Sequence, residues 1–275
     1  MFPPENKQLS LLEARRLERP SLPDADIVRS ISRDLISETG VRPPVPVDLL
    51  ASFRGIATII DADIESAGML SSAGNRLVVH VRASDGIERR RFTILHEAAH
   101  TYLPGFADRV QRRCSPGDTR NRTEQLCDIA AVELLFPYQF FRADLAARTM
   151  DLASAEDLSA IYAASVESTA LRMVELTDEP AIFMSLRQQL KPSEVKAGAT
   201  VAPALRVSYS RETGKWPFVP RHKSVGEQTP FGRAFDGEIV DEVARLSEPF
   251  VAPVDQVRVS ARRYGSRVLA LIRAA

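Results

Sequence analysis

His96-Glu97-Ala98-Ala99-His100 is the stretch of this 275-residue chain whose residue types and spacing could do chemistry. It lies in the run Arg91-Phe92-Thr93-Ile94-Leu95-His96-Glu97-Ala98-Ala99-His100-Thr101-Tyr102-Leu103, which no glycine or proline interrupts. Leu95, Ala98, Ala99 and Tyr102 recur there at the spacing of a buried helix. Positions four apart on a helix share a face about one turn apart, so two imidazoles can meet one tetrahedral Zn²⁺ at ~2.0–2.1 Å each. Glu97, beside the first histidine, could take a proton from a water at that ion. The plain alternative is a pair of core histidines with a surface glutamate. Against it, the chain has only four histidines and two of them fall in this pattern.

A catalytic zinc commonly has three protein ligands and one open position. The stretch Glu124–Pro137 reads as a helix and offers Glu124, Asp128 and Glu133. Glu124 and Asp128 lie one turn apart on one face, which suits a ligand plus a carboxylate that orients a histidine N–H. Glu133 lies on another face, where a salt bridge is the expected use. Between the two helices, residues 108–123 read as a loop with Arg109, Arg112, Arg113, Arg120 and Arg122 around Cys114. Positive neighbours favour a thiolate, so Cys114 is a candidate inhibitory fourth ligand, with an ordinary loop cysteine as the alternative. Cys127, amid Leu126 and Ile129, reads as core. His80, Tyr102 and His222 are candidates to stabilise an oxyanion, and the sequence places none of them.

The elements that must hold these residues follow from periodicity and breakers. A short helix is expected over Leu11–Leu17, with Ser10 and Glu13 at capping-box spacing. A second spans Asp24–Thr39, with Asp24 as N-cap and Gly40 as stop. Val47–Phe53 begins another helix after a proline-rich connector. Ile56–Ile60, Ala67–Leu70 and Arg76–Arg82 read as strands of a small sheet leading into the motif helix. An edge strand beside such a site can hold an extended peptide by β-augmentation. Ala155–Ala164 and Val166–Leu176 look like a helix-turn-helix, with Ser165 as N-cap. With one arginine, Arg172, against Glu167 and Glu175, the second helix argues against DNA readout and for a structural bundle.

At this point the sequence resembles the ImmA/IrrE family of metallopeptidases, gluzincin-like enzymes that cleave helix-turn-helix repressors. The resemblance rests on Arg91–His100, on Glu124–Pro137, and on Pro43–Ala51 with Gly55-Ile56, and covers about residues 25–176. It implies His96, His100 and Glu124 as Zn²⁺ ligands and Glu97 as general base. The sequence departs from the pattern at Cys127, where alanine is usual, at Ile129-Ala130 and at Ala98-Ala99; none of these removes a catalytic group. The resemblance also implies a stress-responsive subgroup in which a helical segment and a GAF-like sensor domain follow the peptidase.

Charge separates the two parts. Residues 1–180 carry 21 Lys and Arg against 27 Asp and Glu, whereas residues 181–275 carry 15 against 9. A basic part can attract nucleic acid, although a solvated surface gives the same balance. Strand candidates at Ala181–Leu186, Leu205–Tyr209, Gln256–Ala261 and Arg267–Arg273, with a helix near Ile239, Val243 and Leu246, fit a GAF-like α+β domain. Within it, Lys215, Trp216, Phe218, Arg221, His222 and Lys223 interleave rings and cations, the composition of a surface for single-stranded DNA or a nucleotide. The expected fold class is therefore α+β. A zincin-like zinc metallopeptidase domain would occupy residues 1–150, a helical HTH-like segment packed on it residues 151–179, and a basic GAF-like sensor residues 180–275. No apolar leader or membrane span is read, and two cysteines are too few for a disulfide framework, so a cytoplasmic protein is expected. The expected function is zinc-dependent cleavage of a helix-turn-helix repressor under stress. The alternative is a DNA-binding regulator with a structural or vestigial zinc site.

Overall fold

The computed structural model describes residues 9–74, 76–106, 111–112, 122–198 and 200–275. Contacts group the chain into two compact units, residues 1–141 with 161–164, and residues 142–160 with 165–275. Both mix helix and sheet, so the α+β class holds.

The first unit opens with α1 (Leu11–Glu18), and Ser10 and Glu13 form the expected capping box. The helix α2 (Asp24–Thr39) ends on Gly40 at φ 63°, a left-handed cap that glycine adopts without a Cβ penalty. Pro23, not Asp24, is its N-cap. The Asp24 side chain is instead held by Arg16 and Arg122, so ion pairing takes the carboxylate that the cap would have used. After α3 (Val47–Phe53) come β1 (Ile56–Ala62), β2 (Gly68–Ala73) and β3 (Arg76–Arg82). With the two-residue β4 (Gln111–Arg112) they form a sheet of order β1-β3-β2-β4. β1 runs parallel to β3, and β2 antiparallel to β3 and β4. Val79 and Val81 are fully buried on one face of β3, and α4 (Ile87–Ala99) packs against β3 and β2.

α4 passes into a 3-10 turn, His100–Tyr102, before Pro104. α5 (Arg122–Leu135) packs along α4 and α2. Leu12, Ile27, Val28, Ile31, Tyr102 and Leu126 interlock as a buried helical core beside the motif. Glu133 is 1% exposed and meets Arg33 Nε at 2.7 Å, the salt bridge its helical face implied. α6 (Tyr138–Ala146) was not expected; it follows Pro137 directly.

The second unit contains most of α7 (Leu152–Tyr162) and all of α8 (Val166–Leu176), whose N-cap is Ser165 as expected. Its sheet is built from β5 (Ala181–Gln189), β6 (Ala204–Thr213), β7 (Val240–Leu246), β8 (Val254–Tyr264) and β9 (Arg267–Ala274). It is antiparallel throughout, in the order β6-β5-β9-β8-β7. The short helices α9 (Pro192–Lys196) and α10 (Pro230–Phe235) complete it.

Ala181–Leu186 is buried on both faces of β5, because α8 packs on β5 and β6 while Phe231 and Ala234 of α10 join the opposite core. One expectation fails here. The stretch 240–246 is a strand, not a helix. Ile239 and Val243 are 70% and 51% exposed, while Val240 and Leu246 are buried, so pairing with β8 overrides the helical spacing of Ile239, Val243 and Leu246.

Candidate metal centre

The motif helix α4 buries Ile94, Leu95, Ala98 and Ala99, and this packing carries the polar residues inward with them. His96, Glu97 and His100 are 1%, 0% and 1% exposed. Buried polar groups are tolerated only with partners, and α5 supplies them. His96 Nδ1 lies 2.9 Å from Asp128 Oδ1, and His96 Nε2 lies 3.2 Å from Glu124 Oε2. His100 Nε2 stands 3.7 Å from Glu124 Oε1 and 4.0 Å from Glu97 Oε2. The two imidazole rings meet edge-on at 5.3 Å between centroids. His96, Glu97, His100, Glu124 and Asp128 are thus brought together.

Charge follows the same geometry. Burial pushes the Glu124 carboxyl up. The hydrogen bond with His96 and the positive charge of His96 and His100 outweigh that, and Glu124 lies below the usual carboxylate range. A carboxylate faced by two imidazoles is a negative donor among neutral or positive ones.

The spacing suits a small divalent ion. Ligands at ~2.0–2.1 Å in a tetrahedron stand about 3.3 Å apart. The two contacts from Glu124 to the histidine Nε2 atoms, 3.2 and 3.7 Å, bracket that edge. The chemistry of the set agrees: two imidazoles and a carboxylate are a common zinc combination. The Nδ1 of His96 is turned to Asp128, which leaves Nε2 toward Glu124.

One contributor escaped the sequence reading. Gly68, the first residue of β2, sits against the motif helix. A Cβ there would lie 2.4 Å from Thr93 Cγ2 and 2.7 Å from Glu97 Oε1, so only glycine lets the strand come this close. A glycine inside a strand pattern is the signal that could have found it. Cys127 belongs to the core, as its neighbours Leu126 and Ile129 implied. It is 1% exposed, and its sulfur, with one ring nitrogen each of His96 and His100, forms a set lying within 4.8 Å of one another.

The other candidates separate. Cys114 lies outside the described residues. His80 pairs with Met69, on the opposite face of β3 from Val79 and Val81, and its Nε2 lies 2.9 Å from Ser71 Oγ. The Tyr102 phenol sits among Ser32, Arg54 and Cys127, and burial pushes it up to about 12. β2, which meets Glu97 at Gly68, is not an edge of the sheet, because Met69 and Leu70 pair with Arg112 and Gln111. A cavity of about 540 Å³ opens beside His100, walled by Leu12, Leu103 and Leu126, with Arg16 and Arg122 at its polar side.

In the second unit, Lys215, Arg221 and Lys223 are exposed and Phe218 is 65% exposed. Trp216 packs against the core, and its indole N–H donates to the Thr213 carbonyl at 3.0 Å. The His222 N–H donates to the Val207 carbonyl at 2.8 Å, and its φ is 64°. Arg172 is 2% exposed and pairs with Glu175, so the single arginine of α8 is buried.

Residues 58–174 match the Peptidase_M78 family, described as the IrrE N-terminal-like domain. That range holds the whole donor cluster, so the part of the chain that carries it is similar to the IrrE N-terminal-like domain. Among solved structures, a Mycobacterium tuberculosis transcriptional regulator is similar in fold, with a TM-score of 0.57 at 16% identity. The match covers 97% of this chain and 82% of that one. No curated protein matches the chain. Among the described residues, no helix is long and apolar enough to cross a membrane.

Proposed function

We propose that this chain is a cytoplasmic zinc-dependent endopeptidase that cleaves a helix-turn-helix repressor when stress is sensed. Residues 1–150 form the peptidase, 151–179 a helical segment and 180–275 a GAF-like sensor. The observation that carries the reading is the buried cluster in which Glu124 approaches both histidines while Asp128 takes His96 Nδ1. His96, His100 and Glu124 would hold the ion. When bound, Zn²⁺ supplies Lewis acidity, polarising the scissile carbonyl and lowering the pKa of a water. Glu97 would take a proton on its carboxylate from the attacking water and pass it to the departing amine. Asp128 accepts a hydrogen bond from His96 Nδ1–H and fixes the ring. Gly68, lacking a Cβ, leaves room for the Glu97 carboxylate beside the β2 backbone. The cavity beside His100 offers an apolar wall for a substrate side chain.

The sensor reading draws support from the antiparallel order β6-β5-β9-β8-β7, compatible with a GAF-like domain, and from the exposed Phe218 amid Lys215, Arg221 and Lys223. These would contact single-stranded DNA or a nucleotide by stacking and charge. The transcriptional regulator of similar fold favours a second reading, direct DNA binding with a structural zinc. The buried Arg172 weighs against it, because recognition helices present basic or amide side chains to the groove.

Co-expression with a helix-turn-helix repressor encoded beside this chain tests the main reading. Under DNA damage the wild type should cut the repressor and Glu97→Gln should leave it whole. A repressor equally intact with both would overturn the protease reading.

A further inference from the structure

Resting on the metal-centre reading, we propose that the Cys127 thiol is a further donor to the ion held by His96, His100 and Glu124. The centre then has a closed, sulfur-ligated state beside an open one. Cys127 lies on α5 three residues after Glu124 and next to Asp128, so one helix face presents three groups to the same histidine pair. Its sulfur belongs to the set within 4.8 Å that includes His96 and His100. All three side chains are buried. A core cysteine needs only apolar neighbours. This one has Leu126 and Ala130 on its own helix but also two imidazoles from another.

The distances are within reach of a shared ion. Imidazole nitrogen at ~2.0–2.1 Å and thiolate sulfur at ~2.3 Å from one tetrahedral ion stand about 3.6 Å apart. Rotating a cysteine between staggered χ1 wells carries its sulfur by up to ~3 Å, more than the remaining gap. In the closing step the S–H bond would break, the sulfur electron pair would go to the ion, the water held there would leave and the proton would go to solvent. Nothing is oxidised or reduced. A set of two imidazoles, a carboxylate and a thiolate favours zinc or cobalt over magnesium or manganese. With sulfur bound, the position that a substrate carbonyl needs is filled, and cleavage waits on its release.

Co²⁺ is the probe, loaded into the full chain after metal removal, in wild type, Cys114→Ser, Cys127→Ala and Cys127→Ser. Visible d–d bands report an ion at the histidines, and a near-ultraviolet sulfur-to-cobalt charge-transfer band reports a thiolate ligand. Visible bands are expected in all four proteins. The charge-transfer band should appear in wild type and Cys114→Ser and be absent from both Cys127 variants. Zn²⁺ affinity should fall about tenfold or more in those variants. Visible bands without charge transfer in the wild type would overturn the proposal and leave the metal centre standing. So would a band that follows Cys114. No visible bands in the wild type would overturn the metal-centre reading itself. The wild-type spectrum decides even if a Cys127 variant fails to fold.

Discussion

At the scale of single residues, the centre depends on which nitrogen each imidazole turns where. Asp128 Oδ1 sits 2.9 Å from His96 Nδ1, leaving Nε2 toward Glu124. Losing such an outer partner typically lowers metal affinity 10–100-fold. Asp128→Ala should therefore bind zinc about tenfold or more weakly while its thermal unfolding stays near the wild type, read by competition with a chelator. An unchanged affinity would remove Asp128 from the site. The pairing of His96 with His100 and of Glu124 with Asp128 was legible in the sequence, because four-residue spacing puts each pair on one face of its helix. Gly68 was not. Its role depends on a strand approaching α4, and no spacing along the chain encodes that approach.

At the scale of elements, Asp24 ties the start of α2 to Arg16 of α1 and to Arg122, the first residue of α5. The helix carrying Glu124 is thus anchored at its own N-terminus. Burial raises the Asp24 carboxyl, but the Arg16 and Arg122 guanidinium groups outweigh it and hold it below the usual carboxylate range. A depressed folded-state pKa stabilises fully above the unfolded value and is lost as pH falls through the folded one. Asp24→Asn should cost about 1 kcal/mol at neutral pH, a small value because both arginines are exposed to solvent. The difference from wild type should vanish in denaturant titrations run well below about pH 4. A difference independent of pH would contradict the ion-pair account. The same scale shows where periodicity misleads. Ile239, Val243 and Leu246 have helical spacing, yet Val240, Glu242, Ala244 and Leu246 also alternate, and the ladder with β8 selects the strand. The helix α6 was missed because Pro137, taken as a stop, also suits a helix start.

At the scale of the molecule, the charge asymmetry read at residue 180 does not follow the division into two units, because the acidic residues of 142–160 and 165–180 belong to the second. The first unit holds the buried donor cluster, and the second holds a five-stranded antiparallel sheet. Within the second unit, Glu167 of α8 accepts from the Tyr209 hydroxyl at 2.6 Å and pairs with Arg267 at 2.9 Å. Helix and sheet are thereby fastened by charge as well as packing. That attachment could not be read from residues 154–176, whose pattern shows two helices but not what their buried faces meet. The account's central claim is that His96, His100 and Glu124 hold zinc while Glu97 does not. Zinc per chain, measured on purified wild type, Glu97→Gln and Glu124→Gln, tests it most directly. The account predicts a single zinc in the first two proteins and its loss from the third. Zinc retained equally in Glu124→Gln, or lost from Glu97→Gln, would contradict it.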